Sequence, residues 1–555
     1  MRSVLVATAI LLSACAGSAA RSGDACTTAI TVSPVGEDAL TAHYQLCAPV
    51  TAYALEPYNT PQRSDDWAAA GDDYAFNGAS VRRADGATFS EFTLRLRADT
   101  SFHDRHYVAA DRVGAGWSLL LQALAPEHGS ATLQFTDFAR DDVLFAEGGV
   151  RRASGPRLQL DQDSENIIYV GPRSNIRAGS ITVIAGDDIP DWLRERFIRE
   201  TGTAIDRLSA RFGRDAPAPT LIVTSALQGR GSGLKAGTVA DGVVEIRLRG
   251  IELREGDTAL SESLTNTATH EATHFWLGQL WRAARNNEEP WLHEGGAEYL
   301  ASRIWQTPEG LREEASQRLN GCLLRANGHP MDGSEGPVRG IAPYDCGFVI
   351  MLAAETASLR AGHGDIFDLW RAVLDASGPE GFTPTAFLAE ARARGGEDFS
   401  HVANLVLSAA SNPALATIAE PLAAVGIVTA PREAGAGEAY PLLARSLMPV
   451  MAQLCGAGGR SYGYNSEPDR IILDTEQSCG PELAGNPAVV SVNGASLTLR
   501  PSLAYEAIRA ACESRSALRF TTVDGRVLAP VTCTTQIAPA PTIYGVISIP
   551  AFPPA

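Results

Sequence analysis

Two histidines one helical turn apart, with a glutamate beside the first, set the chemistry of this sequence: Thr269-His270-Glu271-Ala272-Thr273-His274. If residues 260–281 form a helix, His270 and His274 share one face with Cβ atoms roughly 5–6 Å apart. Two imidazoles so placed can reach a single ion at about 2.0–2.1 Å, and Glu271 stays beside the site as a base. Nineteen residues separate His274 from Glu294. That is room for the helix to end near Arg285, a loop through Asn286–Pro290, and a second helix from Trp291 that returns the Glu294 carboxylate to the same ion. Two histidines and one carboxylate are the donor set of a zinc site with an open position, where the pKa of a water falls toward about 7. Glu271 can take the proton that such a water gives up.

The elements that must position these groups carry matching patterns. On a helix, Ser263, Thr267, His270 and His274 make one polar stripe, while Leu264, Ala268, Ala272 and Phe275 make an apolar one. The polar stripe is therefore predicted to face a cleft. Glu298, one turn beyond Glu294, could accept the far N–H of a zinc-binding histidine; a plain surface carboxylate is the alternative. His293 points about 100° away from Glu294 around a helix, which favours a packed or exposed histidine over a fourth ligand. Structural zinc usually uses cysteines, and none lies between residues 260 and 300. His103 and His106 have no third ligand nearby and read as part of a loop or strand pair. Gly459-Arg460-Ser461-Tyr462-Gly463 matches the G-x-S-x-G elbow of serine hydrolases, but that elbow needs a strand before and a helix after. Here a helical pattern precedes it and turn residues follow.

The chain has 555 residues, enough for two to four domains, and its apolar fraction of 45% is that of a globular protein. A formal net charge of −18 without clustered Lys and Arg argues against nucleic acid. Met1-Arg2-Ser3, the apolar run Val4 to Leu12 and Leu12-Ser13-Ala14-Cys15 resemble a bacterial lipoprotein signal, which implies cleavage before Cys15 and lipid on that cysteine. An ordinary secretory signal cut near Ala19-Ala20 is the alternative. In that family Ala16 after the cysteine implies the outer membrane, so the expected location is the periplasmic side of that membrane, lipid-anchored. Export permits disulfides. Eight further cysteines fall in close couples, Cys26 with Cys47, Cys322 with Cys346, Cys455 with Cys479 and Cys512 with Cys533, although eight cysteines allow 105 pairings.

Along the chain, residues 29–184 alternate in short apolar runs and read as antiparallel strands. Pro190 suits the first turn of a helix running to about Phe212 and ended by Gly213. Thr220–Thr224 and Gly242–Leu248 are predicted strands, with the glycine-rich Gly229–Gly233 a turn. Helices are predicted near 310–326, after Pro343 through Arg360, over 365–376 and 384–394, and one or two more in 401–427. A linker rich in Ala, Gly, Pro and Glu follows.

The paired motifs resemble the gluzincin metallopeptidases, whose third ligand is a Glu within Trp-Leu-x-Glu-Gly; it stands here as Trp291-Leu292-His293-Glu294-Gly295. The spacing from His274 is one residue longer than usual in the aminopeptidase relatives. Pro343-Tyr344-Asp345-Cys346-Gly347 resembles their Tyr-x-Lys-Gly helix start, which implies that Tyr344 stabilises the oxyanion, with Cys346 in place of the Lys. A Cys322–Cys346 bridge would hold that helix instead. Residues 488–533 resemble the second half of a PDZ domain. The order of parts is most similar to the glycyl aminopeptidase-like gluzincins. It implies a multidomain α+β chain: lipoprotein signal 1–14, N-terminal β domain 15–185, thermolysin-like, mostly helical zinc peptidase domain 186–430, linker 431–439, PDZ-like domain 440–538 and irregular tail 539–555. The implied activity is peptide-bond hydrolysis with one zinc ion, aminopeptidase-like, with a peptide or protein as substrate. Gly237-Thr238-Val239-Ala240-Asp241-Gly242 lacks the Glu with which alanyl aminopeptidases hold the substrate amine, so an endopeptidase is the first alternative. A peptide-binding lipoprotein with a vestigial zinc site is the second.

Overall fold

The computed structural model describes residues 27–57, 60–99, 108–146, 148–161, 164, 166–215, 219–226, 234–240, 242–250, 253–280, 290–325, 331, 340–377, 381–408, 417–455, 463–466, 469–474, 483 and 486–553. Cys15, Cys26, His103, His106, the glycine-rich stretch 229–233, residues 459–462 and Cys479 lie outside these. The chain divides into two units.

The smaller unit takes residues up to 98 with 121–138 and 153–164. Six strands form its larger sheet in the order Arg157–Asp161, Ser130–Phe135, Thr28–Val35, Ala39–Val50, Phe89–Arg97 and Trp67–Ala69. Alternate residues such as Ile30, Val32, Leu94 and Leu96 are buried, as period-two patterning requires. The stretch 15–185, expected as an N-terminal β domain, is β-rich in its described residues and is shared between the two units. In the larger unit the strands Gly149–Arg152, Asp142–Ala146, Ile167–Pro172, Gly116–Leu120 and Ala110–Val113, in that order, build a second, antiparallel sheet. Alternation marks a strand but not its partner, so periodicity could not separate the two sheets.

The larger unit centres on a mixed sheet of β1 (Ile176–Ala178), β2 (Thr182–Ala185), β3 (Thr220–Ala226), β4 (Leu234–Ala240) and β5 (Val243–Arg249), in the order β1-β2-β3-β5-β4. The β2-β3 and β3-β5 pairs are parallel, and β4 is an antiparallel edge strand on β5. Every residue of β5 is buried, including Glu245, Arg247 and Arg249. These charges have buried polar company: Arg249 pairs with Asp111, Asp111 accepts from Thr224 at 2.7 Å, and Ser118 donates to Glu245 at 2.6 Å. Burial, together with the nearby Asp111 charge, pushes the Glu245 carboxyl up to about 7.

Helix α1 (Asp191–Phe212) starts after Pro190 and stops at Gly213, whose φ of 65° is readily available to glycine. Helix α2 (Thr258–Thr273) is capped by Asp257, which accepts the Leu260 N–H at 3.0 Å. The helix predicted over 260–281 ends early. Past His274 the chain enters a wider turn, Phe275–Leu280, that leaves helical geometry at Leu277. Phe275, Trp276 and Leu277 are all fully buried, and a regular surface helix cannot turn three consecutive side chains inward.

The next helices are α3 (Pro290–Trp305), α4 (Pro308–Arg325), α5 (Ala342–Arg360), α6 (Ile366–Ala376) and α7 (Pro384–Leu407). Helix α7 was predicted to stop at Arg394 but continues through a kink at Gly396, because Phe399, Val402 and Val406 extend its buried side. Helices α3 and α5 meet at backbone distance. A Cβ on Gly347 would lie 2.0 Å from the Trp291 carbonyl oxygen, and one on Gly295 would lie 2.4 Å from the Gly347 Cα. Cys322 on α4 is bonded to Cys346 on α5.

The predicted linker 431–439 is structured. Strand β6 (Val428–Arg432) precedes helix α8 (Ala436–Cys455). The tail predicted to be irregular contains β7 (Ile543–Ser548), which pairs antiparallel with β6 and buries Ile543 and Val546. A partner more than a hundred residues away leaves no local signal. Between them lie the strand Ala488–Val492, helix α9 (Pro501–Glu513) and the strand Phe520–Thr522, tied by Cys512–Cys533. Cys47 and Cys455 are also disulfide-bonded. Among the described residues no helix is long and apolar enough to cross a membrane.

Replacing Gly347 by Ala should lower the unfolding free energy by about 2–4 kcal/mol, since the clash is with backbone and cannot relax by a rotamer change. Denaturant melts of the two proteins test this, and a difference below about 0.5 kcal/mol would show that α3 and α5 can separate at little cost.

Candidate metal centre

Helix α2 presents Ser263, Thr267, His270 and His274 to a cleft of about 700 Å³, while Leu264, Ala268, Ala272 and Phe275 are fully buried behind it. The cleft is also lined by Gly237, Thr238 and Val239 of β4, by His293, Glu294 and Glu298 of α3, by Arg318 and by Tyr344. His270 Nε2 lies 3.2 Å from Glu294 Oε2, and His274 Nε2 lies 3.5 Å from the same oxygen. Ligands at about 2.0–2.1 Å from a tetrahedral zinc stand ~3.3 Å apart, close to both of these distances, and all three donor atoms lie within 4.8 Å of one another. Among the described residues this is the only set of three or more His, Cys, Asp or Glu whose donors converge for a metal.

Glu298 sits where sequence spacing put it. Its Oε2 is 2.9 Å from His270 Nδ1, on the far side of the ring from Glu294, and its Oε1 is paired with Arg318. Burial alone would disfavour a charged His270, but Glu294 and Glu298 together hold it well above the usual histidine range. Burial likewise opposes charge on Glu294, yet His274 and His270 hold its carboxyl well below the ordinary value. Two carboxylates and two imidazoles thus crowd into one pocket.

Glu271 is half-buried beside the pair, and its desolvation raises its carboxyl, with Glu294 and Glu298 adding to the effect. It backs onto β4. A Cβ at Gly237 would come within 2.4 Å of Glu271 Oε1, so glycine is what lets the strand pass over this carboxylate. Tyr344, in the first turn of α5, lays its ring near-parallel to His270 with centroids 5.8 Å apart. His293 stacks on His274 at 4.2 Å and stands outside the set of convergent donors. The structure thus brings together His270, His274, Glu294, Glu271, Glu298 and Tyr344.

Sequence reasoning missed two members. Arg318 lies twenty residues past Glu298 on another helix and had no motif around it. Gly237 was read as part of a substrate strand, with no sign that its missing side chain makes room for Glu271.

No family model matches the sequence, and no curated protein matches it. Among solved structures, the chain is similar to an aminopeptidase N family protein from Idiomarina loihiensis, with a TM-score of 0.54 and 12% identity, over 94% of this chain and 98% of that one. A mutant M1 zinc metallopeptidase from Deinococcus radiodurans, bound to a Tyr-Ser-Ala substrate, aligns at a TM-score of 0.38 and 14% identity over 69% and 93% of the two chains, too low to carry weight. The first likeness runs nearly end to end. It shows that the chain has the multidomain α+β fold of an aminopeptidase N family protein, a β-rich N-terminal region followed by a helical domain.

His274→Ala and Glu294→Ala should each leave purified protein without stoichiometric zinc, whereas wild type takes up one equivalent. Metal analysis after dialysis against zinc checks this; variants that retain one equivalent would remove both residues from the ligand set.

Proposed function

We propose that the protein is a zinc-dependent metallopeptidase that hydrolyses peptide bonds. The observation that carries this reading is the convergence of His270, His274 and Glu294 within one cleft that also holds Glu271 and Tyr344. A zinc ion held by those three ligands would supply a Lewis acid and lower the pKa of a water in its open position.

The chain's own groups do the rest. Glu271 Oε accepts the proton of the attacking water, and its raised pKa suits it to give that proton to the leaving amine. The phenol of Tyr344 donates to the oxygen on which negative charge develops. Glu298 holds His270 in the tautomer that keeps Nε2 toward the ion. The edge strand β4, with Gly237 to Val239 along the cleft, supports an extended substrate.

A second reading, cleavage inside chains rather than removal of N-terminal residues, is favoured by β4 itself, whose described cleft residues carry no carboxylate for an amine. We further infer export, with lipid on Cys15 and residence at the periplasmic face of the outer membrane; the signal-like residues 1–14 support it. The strand, helix α9 and strand order over 488–522 supports a PDZ-like C-terminal module.

Wild type incubated with a mixed peptide library should give cleavage that stops on zinc removal and returns on its restoration. Glu271→Gln is expected to cut kcat about 10²–10⁴-fold with zinc retained, and Tyr344→Phe about 10²–10³-fold. Mass spectra of the products separate stepwise N-terminal losses from internal cuts. Wild-type protein that binds zinc and leaves every peptide intact would overturn the proposal.

A further inference from the structure

Arg318 lies near the middle of α4, its side chain only 22% exposed, and it reaches two of the helices that carry the site, α3 and α5. Its Nη2 pairs with Glu298 Oε1 on α3 and lies 3.3 Å from Glu314 Oε1. Its Nη1 donates to Asp345 Oδ1 on α5 at 3.1 Å, and Arg325 takes the other oxygen of Asp345. The Glu298 oxygen that Arg318 does not hold is the one 2.9 Å from His270 Nδ1. Asp345 is the residue after Tyr344.

Helix α4 is itself held from behind. Val546 of β7 donates its N–H to Ser316 Oγ at 2.9 Å, and the Asn320 amide makes two bonds to the Tyr544 backbone, at 2.8 and 2.9 Å. Residues 316 and 320 lie about 160–200° around the helix from 318, so the strand fixes one side while the guanidinium works from the other. The Cys322–Cys346 bond adds a covalent tie to α5.

We propose that Arg318 is a positioning residue of the metal centre, which sets the ring of His270 through Glu298 and the start of the Tyr344 helix through Asp345. This rests on the zinc-site reading above. A planar guanidinium presents donors in a fixed fork, so it sets the separation of the two carboxylates it bridges; an ammonium on a flexible stem does not. The pairing also relieves three largely buried carboxylates that would otherwise repel one another across the helices.

The test is zinc affinity, measured by competition with a chromophoric chelator, for wild type, Arg318→Met, Arg318→Lys, Glu298→Gln and the Glu298→Gln/Arg318→Met double variant, with melting temperatures in parallel. Arg318→Met should weaken zinc about 10–100-fold. In the Glu298→Gln background the same change should add less than about two-fold, because the effect runs through that carboxylate. Arg318→Lys keeps the charge without the fork, so it should fold and still weaken zinc about 3–10-fold. With zinc saturating, peptide hydrolysis by this variant should lose kcat while KM stays within about three-fold. Lys and Met variants that fold and bind zinc like wild type would overturn the proposal, as would full additivity in the double variant. Should Arg318→Met fail to fold, the Lys variant alone decides. Wild type that binds zinc but cleaves no peptide would overturn only the peptidase reading, and the zinc measurements would still decide the role of Arg318; wild type that binds no zinc would overturn both.

Discussion

The backbone contact between α3 and α5 at Gly295 and Gly347 is the constraint on which the site depends. Glu294 precedes one of these glycines and Tyr344 lies three residues before the other. Two helices whose side chains interlock ordinarily stand 8–10 Å apart, and a pair with glycine at the crossing comes closer. That closeness puts the Glu294 carboxylate of α3 and the Tyr344 ring of α5 against the same histidine, His270. A third glycine, Gly237, plays the matching part for β4, letting the edge strand run over Glu271.

Around this contact the larger unit buries charge in paired sets. Glu355 on α5, fully buried, pairs with the Tyr299 hydroxyl and with Arg303 at 2.9 Å on α3. One turn or more away, Arg318 joins Glu298, Glu314 and Asp345. Such groups contribute less net stability than apolar residues would, since each is desolvated, but removing one partner leaves a stranded charge. They therefore restrict how α3, α4 and α5 can slide, and a metal centre with ligands on two separate elements needs that restriction. The C-terminal strand β7 extends it by pinning α4 through Ser316 and Asn320.

Much of the site was legible because its chemistry is local. His270 and His274 are related by the helical repeat alone, Glu298 stands one turn from Glu294 for the same reason, and the polar and apolar stripes of α2 follow from period 3.6. Helices α1, α4, α5 and α6 were readable from their Pro, Asp and Gly signals. Cys322–Cys346 and Cys512–Cys533 pair as their spacing suggested. The misses share a cause. The early end of α2, the continuation of α7 past Gly396, the pairing of β6 with β7 and the split of the N-terminal strands between two units are all decided by partners distant in sequence.

The sequence by itself determined the donor types, their spacing on α2 and α3, and the carboxylate next to the first histidine, since these depend only on residue identity and helical geometry. Tertiary structure decided that the three donors converge within 4.8 Å of one another, that Tyr344 lies against His270, and that Arg318 bridges Glu298 to Asp345. Those are distances between elements, and they follow from how closely helices and strands can pack. That closeness depends on glycines and buried charges whose partners no local pattern names.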